Sequence, residues 1–336
     1  MTPAPETSNG GRSPAAVFLA RLLRVAVAAA LLWWALHGAA WDDLAGAVRR
    51  ADWRWLAAAV ALVVVDRALN AWRWLVLLRA IEPAAGLSLW PILRIFFIST
   101  FAGTFLPGSV GGDAVRAVSL TRLRVPLADA VASVAVDRLL GTVSVVLMAL
   151  AGLLLAGRMV DDRLVLAALV AAVAAALGTG LLLFDSRVLA RGVDLFAGRF
   201  TTLHRLAHKF LSAVRQYGTH REALAVVLGG SVAVQVLRTL QAWCLGLSLG
   251  LAPGGIWYFA WVPLIVLVML LPISISGLGT GNAAFVALFG LAGVARADAV
   301  VLSLLFLGLG AIGNLPGGLL LAVEPRRTPA PPSPSS

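Results

Sequence analysis

Arginine and aspartate recur here inside stretches that are otherwise apolar, and this pattern carries the chemical content of the sequence. Asp66 and Arg67 fall near the middle of an apolar run from about Trp53 to Leu78. Asp113 and Arg116, three residues apart and so on one helical face, follow the turn Leu106-Pro107-Gly108-Ser109-Val110-Gly111-Gly112. Asp137-Arg138 sits early in the next run, and Arg238, with Gln235 and Gln241 at helical spacing, puts a polar stripe on a later one. Ionisable side chains within hydrocarbon are costly and commonly mark pathways. Arginine stays charged and grips phosphate through paired hydrogen bonds, so arginines around one cavity suit an anionic headgroup. A helix starting near Gly112 adds free backbone N–H groups and the positive end of its dipole. Neighbouring residues on a helix do not face each other, so Asp66–Arg67 and Asp137–Arg138 are expected to find partners on other helices. Arg54, Arg73 and Arg79 read as flanking residues whose heads snorkel to the interface. Whether the network binds a substrate or only holds helices together stays open on the residues alone.

These charges need elements that place them together. Leu106-Pro107-Gly108-Ser109-Val110-Gly111-Gly112 is echoed by Leu271-Pro272-Ile273-Ser274-Ile275-Ser276-Gly277, both fitting Leu-Pro-x-Ser-(Val/Ile)-x-Gly. Proline removes a backbone donor and glycine loosens a helix, so both segments are expected to break. Broken backbone at membrane depth persists only where it is buried in protein or lines a wet cavity, and paired breaks in corresponding halves point to a transporter's substrate site. The ordinary alternative is two turns that simply end two helices. The candidate binding residues are therefore Arg67, Pro107, Gly111, Gly112, Asp113, Arg116, Asp137, Arg138, Arg238, Ser274, Gly277 and Asn282.

The surroundings are those of a membrane. Hydrophobic residues make up 60% of the chain and charged ones 13%, and the mean hydropathy is +0.92, so lipid must be the solvent. The fold expected is all-α, a polytopic integral membrane bundle of about 7–9 segments, each run long enough for hydrocarbon, with two broken or re-entrant helices compatible with an inverted repeat. Residues 1–14 and 324–336 read as disordered tails around one membrane domain, 15–323. The apolar stretch from Ala15 to His37 is read as a retained first span, although Gly38-Ala39-Ala40 has the look of a signal-peptidase site. Within the domain, 185–222 is basic with Phe196, Phe200, Leu203, Phe210 and Val214 at helical spacing, the pattern of an amphipathic surface helix. A net charge of +11 is explained by cytoplasmic loops meeting anionic lipid, and no nucleic-acid motif accompanies it. A single cysteine, Cys244, and four scattered histidines exclude a cysteine metal cluster and give no zinc spacing. No metal and no cofactor is expected. Basic residues place both termini, Arg116–Arg124 and 185–222 in the cytoplasm. Keeping Arg79 on that side requires Leu89–Leu106 to re-enter.

The segment from Phe96-Phe97-Ile98-Ser99-Thr100 through Leu106-Pro107-Gly108-Ser109-Val110-Gly111-Gly112-Asp113-Ala114-Val115-Arg116, followed by Val136-Asp137-Arg138-Leu139-Leu140-Gly141, resembles the lysylphosphatidylglycerol synthase transmembrane-region family, a flippase-like family. Leu271-Pro272-Ile273-Ser274-Ile275-Ser276-Gly277-Leu278-Gly279 and Leu315-Pro316-Gly317-Gly318 fit it too. The resemblance runs from about Ala15 to Glu324 and places Asp113, Arg116, Asp137 and Arg138 at the family's motif positions. It implies a domain that flips a lipid, in the best-known members fused to an aminoacyltransferase. Some stand-alone members are associated with hopanoid or isoprenoid lipids. Where the family commonly has Arg-Glu, this chain has Thr280-Gly281-Asn282, which implies the loss of an anion-binding charge from the second half. Glu324–Ser336 leaves no room for an aminoacyltransferase, so no synthase activity is expected of this chain by itself.

The function expected is translocation of an anionic or isoprenoid-linked lipid in the bacterial inner membrane, without enzymatic chemistry. The partners are anionic membrane lipids and, on a scaffold reading with 185–222 as docking surface, a lipid-modifying enzyme. A membrane-embedded transferase using a lipid-phosphate donor is the third reading, and no acidic metal cluster supports it.

Overall fold

Eight consecutive helical stretches and a short terminal one arise from the described part of the sequence because its apolar runs are rich in Leu, Ala and Val and end at Gly or Pro. The computed structural model describes residues 51–82, 86–105, 110–156, 216–251, 253–270 and 277–323, with Trp33, Gly46, Val48 and Arg49 as isolated positions. In chain order the helices are α1 (Trp53–Ile81), α2 (Leu89–Phe105), α3 (Val110–Thr121), α4 (Leu127–Ala156), α5 (Arg221–Ser248), α6 (Gly255–Leu270), α7 (Thr280–Leu291), α8 (Arg296–Ile312) and α9 (Leu315–Ala322). No strand occurs among the described residues. The expected first span, the run 164–184 and nearly all of the amphipathic segment 185–222 lie outside them, as does the scaffold reading's docking surface.

Among the described residues, four helical stretches are long and apolar enough to cross a bilayer: Trp53–Ile81, Leu127–Leu155, Arg221–Ser248 and Arg296–Ala322. The protein is a multi-pass helical membrane protein. Between these long elements lie two helical hairpins. In the first, α2 runs in and α3 runs back. Gly112 makes the return possible, since a Cβ there would lie 2.8 Å from Ser99 O and 3.2 Å from Gly103 Cα. In the second, α6 and α7 pair the same way, with Tyr258 against Phe289 at 5.0 Å near the open end and Gly281 against Met269 near the tip. Both echo motifs lie between the two arms of a hairpin. The 12 residues of α3 and of α7 span only about 18 Å, short of the roughly 30 Å of hydrocarbon. The arms re-enter; they do not cross. Leu78 of α1, Leu87, Leu120 of α3 and Val125 pack in one cluster, so the chain leaves the first hairpin on the side from which it entered, as re-entry of Leu89–Leu106 requires.

The second half repeats the first upside down. An offset of 165 residues superposes Leu106 on Leu271 and matches long helix, hairpin, long helix in both halves. The two first helices, α1 and α5, pack antiparallel: Asp52 N donates to Ser248 O, Arg238 meets Asp66, and Arg73 Nη1 donates to Ser231 Oγ. Equivalent helices that run antiparallel define a two-fold axis in the membrane plane. The outer contacts obey the same operation. Gly152 of α4 lets that helix touch the α6 backbone at Phe259 O, and its mate Gly317 of α9 touches α2 at Phe97 O. The same operation points the two hairpins in opposite directions along the bundle.

Candidate functional site

Between the hairpins lies a half-open cavity of about 440 Å³. Its walls come from α1, α2, α3, α4, α5, α6 and α8, so both halves contribute. Five arginines (Arg67, Arg73, Arg116, Arg138, Arg238) and three aspartates (Asp66, Asp113, Asp137) line it, a surplus of two positive charges.

Asp137, 3% exposed, stands between two arginines: Arg73 Nη2 at 3.1 Å and Arg116 Nη1 at 3.1 Å. The Arg116 guanidinium is also held between the rings of Trp74 and Phe96, at 4.5 and 4.6 Å from their centroids, an arrangement that favours a cation in a dry setting. Asp66 stands likewise between Arg67 Nη1 at 3.0 Å and Arg238 Nε at 3.5 Å, while Arg67 Nη2 donates to Gly310 O at 3.3 Å. The third aspartate, Asp113, receives Arg138 through both Nε and Nη2, at 3.0 and 2.9 Å, in the forked geometry that guanidinium and carboxylate share. Each of the first two clusters keeps one excess positive charge; the third is neutral.

The crossed pairing of α3 with α4 has a simple origin. Asp113 and Arg116 lie one turn apart on α3, and Asp137 and Arg138 are consecutive on α4, so α3 against α4 matches each acid with the base of the other helix. The neutral polar part of the wall is amide and hydroxyl, from Asn70, Ser99, Thr100, Thr104, Thr142, Gln235, Gln241 and Asn314, and apolar side chains such as Phe96, Val266 and Met269 complete it. Asn314 Nδ2 donates to Thr104 Oγ1 at 3.2 Å, tying α2 to the α8–α9 junction. Gln241 Nε2, Arg67 Nε, Arg73 Nε and Asn314 Oδ1 are buried without a hydrogen-bond partner among the described residues. Such groups are costly to leave bare, which marks this as a place where water or a ligand's oxygens fit. Three or more His, Cys, Asp or Glu do not converge anywhere among the described residues.

The match of the model for the lysylphosphatidylglycerol synthase TM region covers residues 21–317, nearly the whole chain. The chain belongs to that family. A comparison with curated proteins gave no significant match. For this member of the lysylphosphatidylglycerol synthase TM family, the motif positions implied by the resemblance, Asp113, Arg116, Asp137 and Arg138, all line the cavity, as do Arg67, Gly112 and Arg238. Pro107 and Ser274 lie outside the described residues. Gly111 is not on the wall, and neither are two further candidates. Gly277 (φ 80°) turns the chain into α7 and packs on Met269 behind the wall. Asn282 is fully buried, its Oδ1 accepting from Gly279 N and its Nδ2 donating to Ser303 Oγ at 2.7 Å. Where α3 is clamped to α4 by ion pairs, α7 is clamped to α8 by a neutral amide and hydroxyl. Thr280-Gly281-Asn282 therefore supplies a structural clasp and no charge, and the cavity's charge comes from the first half and α5.

Another expectation changes. Arg73 is no snorkelling flank: it is 6% exposed and reaches both Asp137 and Ser231. Asp66 and Arg67 find their expected partners on other helices, Arg238 and Gly310 O, and also pair with each other, because the long arginine stem folds its head back to the neighbouring carboxylate. The signal for Arg73 was available in the sequence: Asp66, Asn70 and Arg73 follow the i, i+4, i+7 spacing of one helical face.

Proposed function

We propose that the protein is a translocase of an anionic lipid, or of an isoprenoid-linked lipid with an anionic headgroup, and that it carries out no covalent chemistry. The observation that carries this reading is the surplus of two positive charges in a cavity between hairpins that point in opposite directions. Guanidinium groups away from bulk water are stabilised by an incoming anion, and the unsatisfied amide and guanidinium donors supply hydrogen bonds to its oxygens. A volume of about 440 Å³ is in the range of small-ligand sites. It accommodates a headgroup while acyl or prenyl tails remain in lipid. The basic stretches support a bacterial inner-membrane orientation with both termini and Arg116–Arg124 cytoplasmic. A cysteine introduced at position 122 in a Cys244→Ser background is then labelled from the cytoplasmic side; labelling from the outside alone contradicts that orientation.

The test of function is transbilayer movement of a fluorescent anionic lipid in liposomes that contain the purified protein. Movement is expected well above that of empty liposomes and reduced in Arg238→Gln, whose partner Asp66 keeps Arg67 as counter-charge. Rates equal to those of empty liposomes refute the proposal.

A further inference from the structure

One arginine of each Arg-Asp-Arg cluster occupies a position that the inverted repeat relates to the other. Under the 165-residue offset Arg73 is the mate of Arg238, Asn70 of Gln235, and Asp66 of Ser231. Each arginine reaches across to its partner helix at the mate of the same position: Arg73 to Ser231, Arg238 to Asp66. The repeat thus places one cavity arginine on each side of the two-fold axis. The halves then diverge in where the carboxylate comes from. Arg238 finds Asp66 across the helix pair, whereas Arg73 meets a serine there and takes Asp137 from α4 instead. Each arginine keeps a carboxylate shared with a second arginine, Arg67 on one side and Arg116 on the other.

From this we infer that the cavity holds two successive stations for a singly charged phosphodiester, one at Arg73–Asp137–Arg116 and one at Arg67–Asp66–Arg238. The inference rests on the translocase reading and adds to it the charge class of the cargo and the path. Each cluster carries a surplus of one positive charge, so one phosphodiester monoanion neutralises it. A phosphomonoester dianion leaves one buried negative charge uncompensated, which is costly in a low-dielectric site. The clusters are about seven residues apart along α1, or roughly 10 Å. That is too far for one phosphate to bridge and short enough for a step from one to the other. Each station also has an unsatisfied buried donor, Arg73 Nε in the first and Arg67 Nε in the second. Loss of one arginine leaves each cluster neutral and folded, because the aspartate keeps the other arginine as its counter-charge.

The test is calorimetric titration of the purified full chain in uncharged detergent with dihexyl phosphate, a phosphodiester with tails and no further headgroup. Wild type is expected to bind two equivalents. Arg73→Gln and Arg238→Gln are each expected to bind one, and the double variant none, with thermal unfolding confirming that every variant is folded. The variants Arg73→Lys and Arg238→Lys are expected to keep the stoichiometry while weakening affinity roughly tenfold, since an ammonium keeps the charge and loses the fork. Dimethyl phosphate, which has no tails, distinguishes a lipid site from a site for free phosphodiester: equal binding of the two probes assigns the stations to a soluble anion and overturns the lipid cargo. A single equivalent in wild type, or one variant abolishing both, overturns the two-station arrangement and leaves the translocase reading intact. Binding of hexyl phosphate as tight as that of dihexyl phosphate overturns the charge class. No binding of either lipid-like probe, together with no lipid movement in liposomes, overturns both.

Discussion

Replacing Asp137 with asparagine removes one negative charge from between two buried positive ones, and the structure fixes what that costs. Arg73 and Arg116 are 6% and 4% exposed, and both reach Asp137 at 3.1 Å. At that distance and an effective dielectric of about 20, each attraction is on the order of 5 kcal/mol before desolvation is counted. Desolvation offsets most of this in the intact cluster. In the variant the cations remain buried with their partner gone, for which a loss of about 3–5 kcal/mol is usual. Asp113→Asn is the internal control. Its partner Arg138 is 53% exposed at the side chain, so water takes over its solvation and the loss is about 0–1 kcal/mol. Unfolding in mixed micelles with rising dodecyl sulfate compares the two. Adding Arg116→Met to Asp137→Asn is expected to recover stability, because it removes one unpaired cation and a thioether packs well between the Trp74 and Phe96 rings. Equal destabilisation by Asp137→Asn and Asp113→Asn would refute the claim that Asp137 holds a dry cationic pair together.

Gly112→Val is expected to lose roughly 1–3 kcal/mol by forcing α3 away from Ser99 and Gly103 of α2, read in the same unfolding assay. Met269→Cys with Gly281→Cys, in a Cys244→Ser background, is expected to cross-link on mild oxidation, since Gly281 faces Met269 across the second hairpin; no cross-link on a gel contradicts that hairpin. Asn282→Leu breaks the bonds to Ser303 and Gly279 and is expected to cost about 1–3 kcal/mol, yet to leave binding of dihexyl phosphate unchanged because Asn282 is off the cavity wall.

Much of this was legible from residue order because hydrocarbon is an unforgiving solvent. The long run expected from about Trp53 to Leu78 emerges as the helix Trp53–Ile81. The echo of Leu106-Pro107 in Leu271-Pro272 marks both hairpins, since proline and glycine act locally. Asp113, Arg116, Asp137 and Arg138 were legible as a set, but not their crossed pairing, which depends on how α3 lies across α4. Arg73 was misread because its neighbours Trp72 and Trp74 are interface residue types, while the helix rotates Trp74 and Arg73 inward and leaves Trp72 exposed. Asn282 was placed on the site through its motif position. Local sequence does not reveal that Ser303, 21 residues on, takes up its amide.

The shortness of α3 and α7 has an electrical consequence. Where both hairpins stop partway, polar cavity replaces part of the hydrocarbon slab, and the insulating layer is thinner than in the bilayer around it. A transmembrane voltage falls across what insulation is left, so the gradient acting on a charge between Arg73 and Arg238 is steeper than in open membrane. Carrying one elementary charge through the full drop is worth about 2.3 kcal/mol per 100 mV. For the anionic cargo proposed above, in a membrane whose inner side is negative, that work is directed outward.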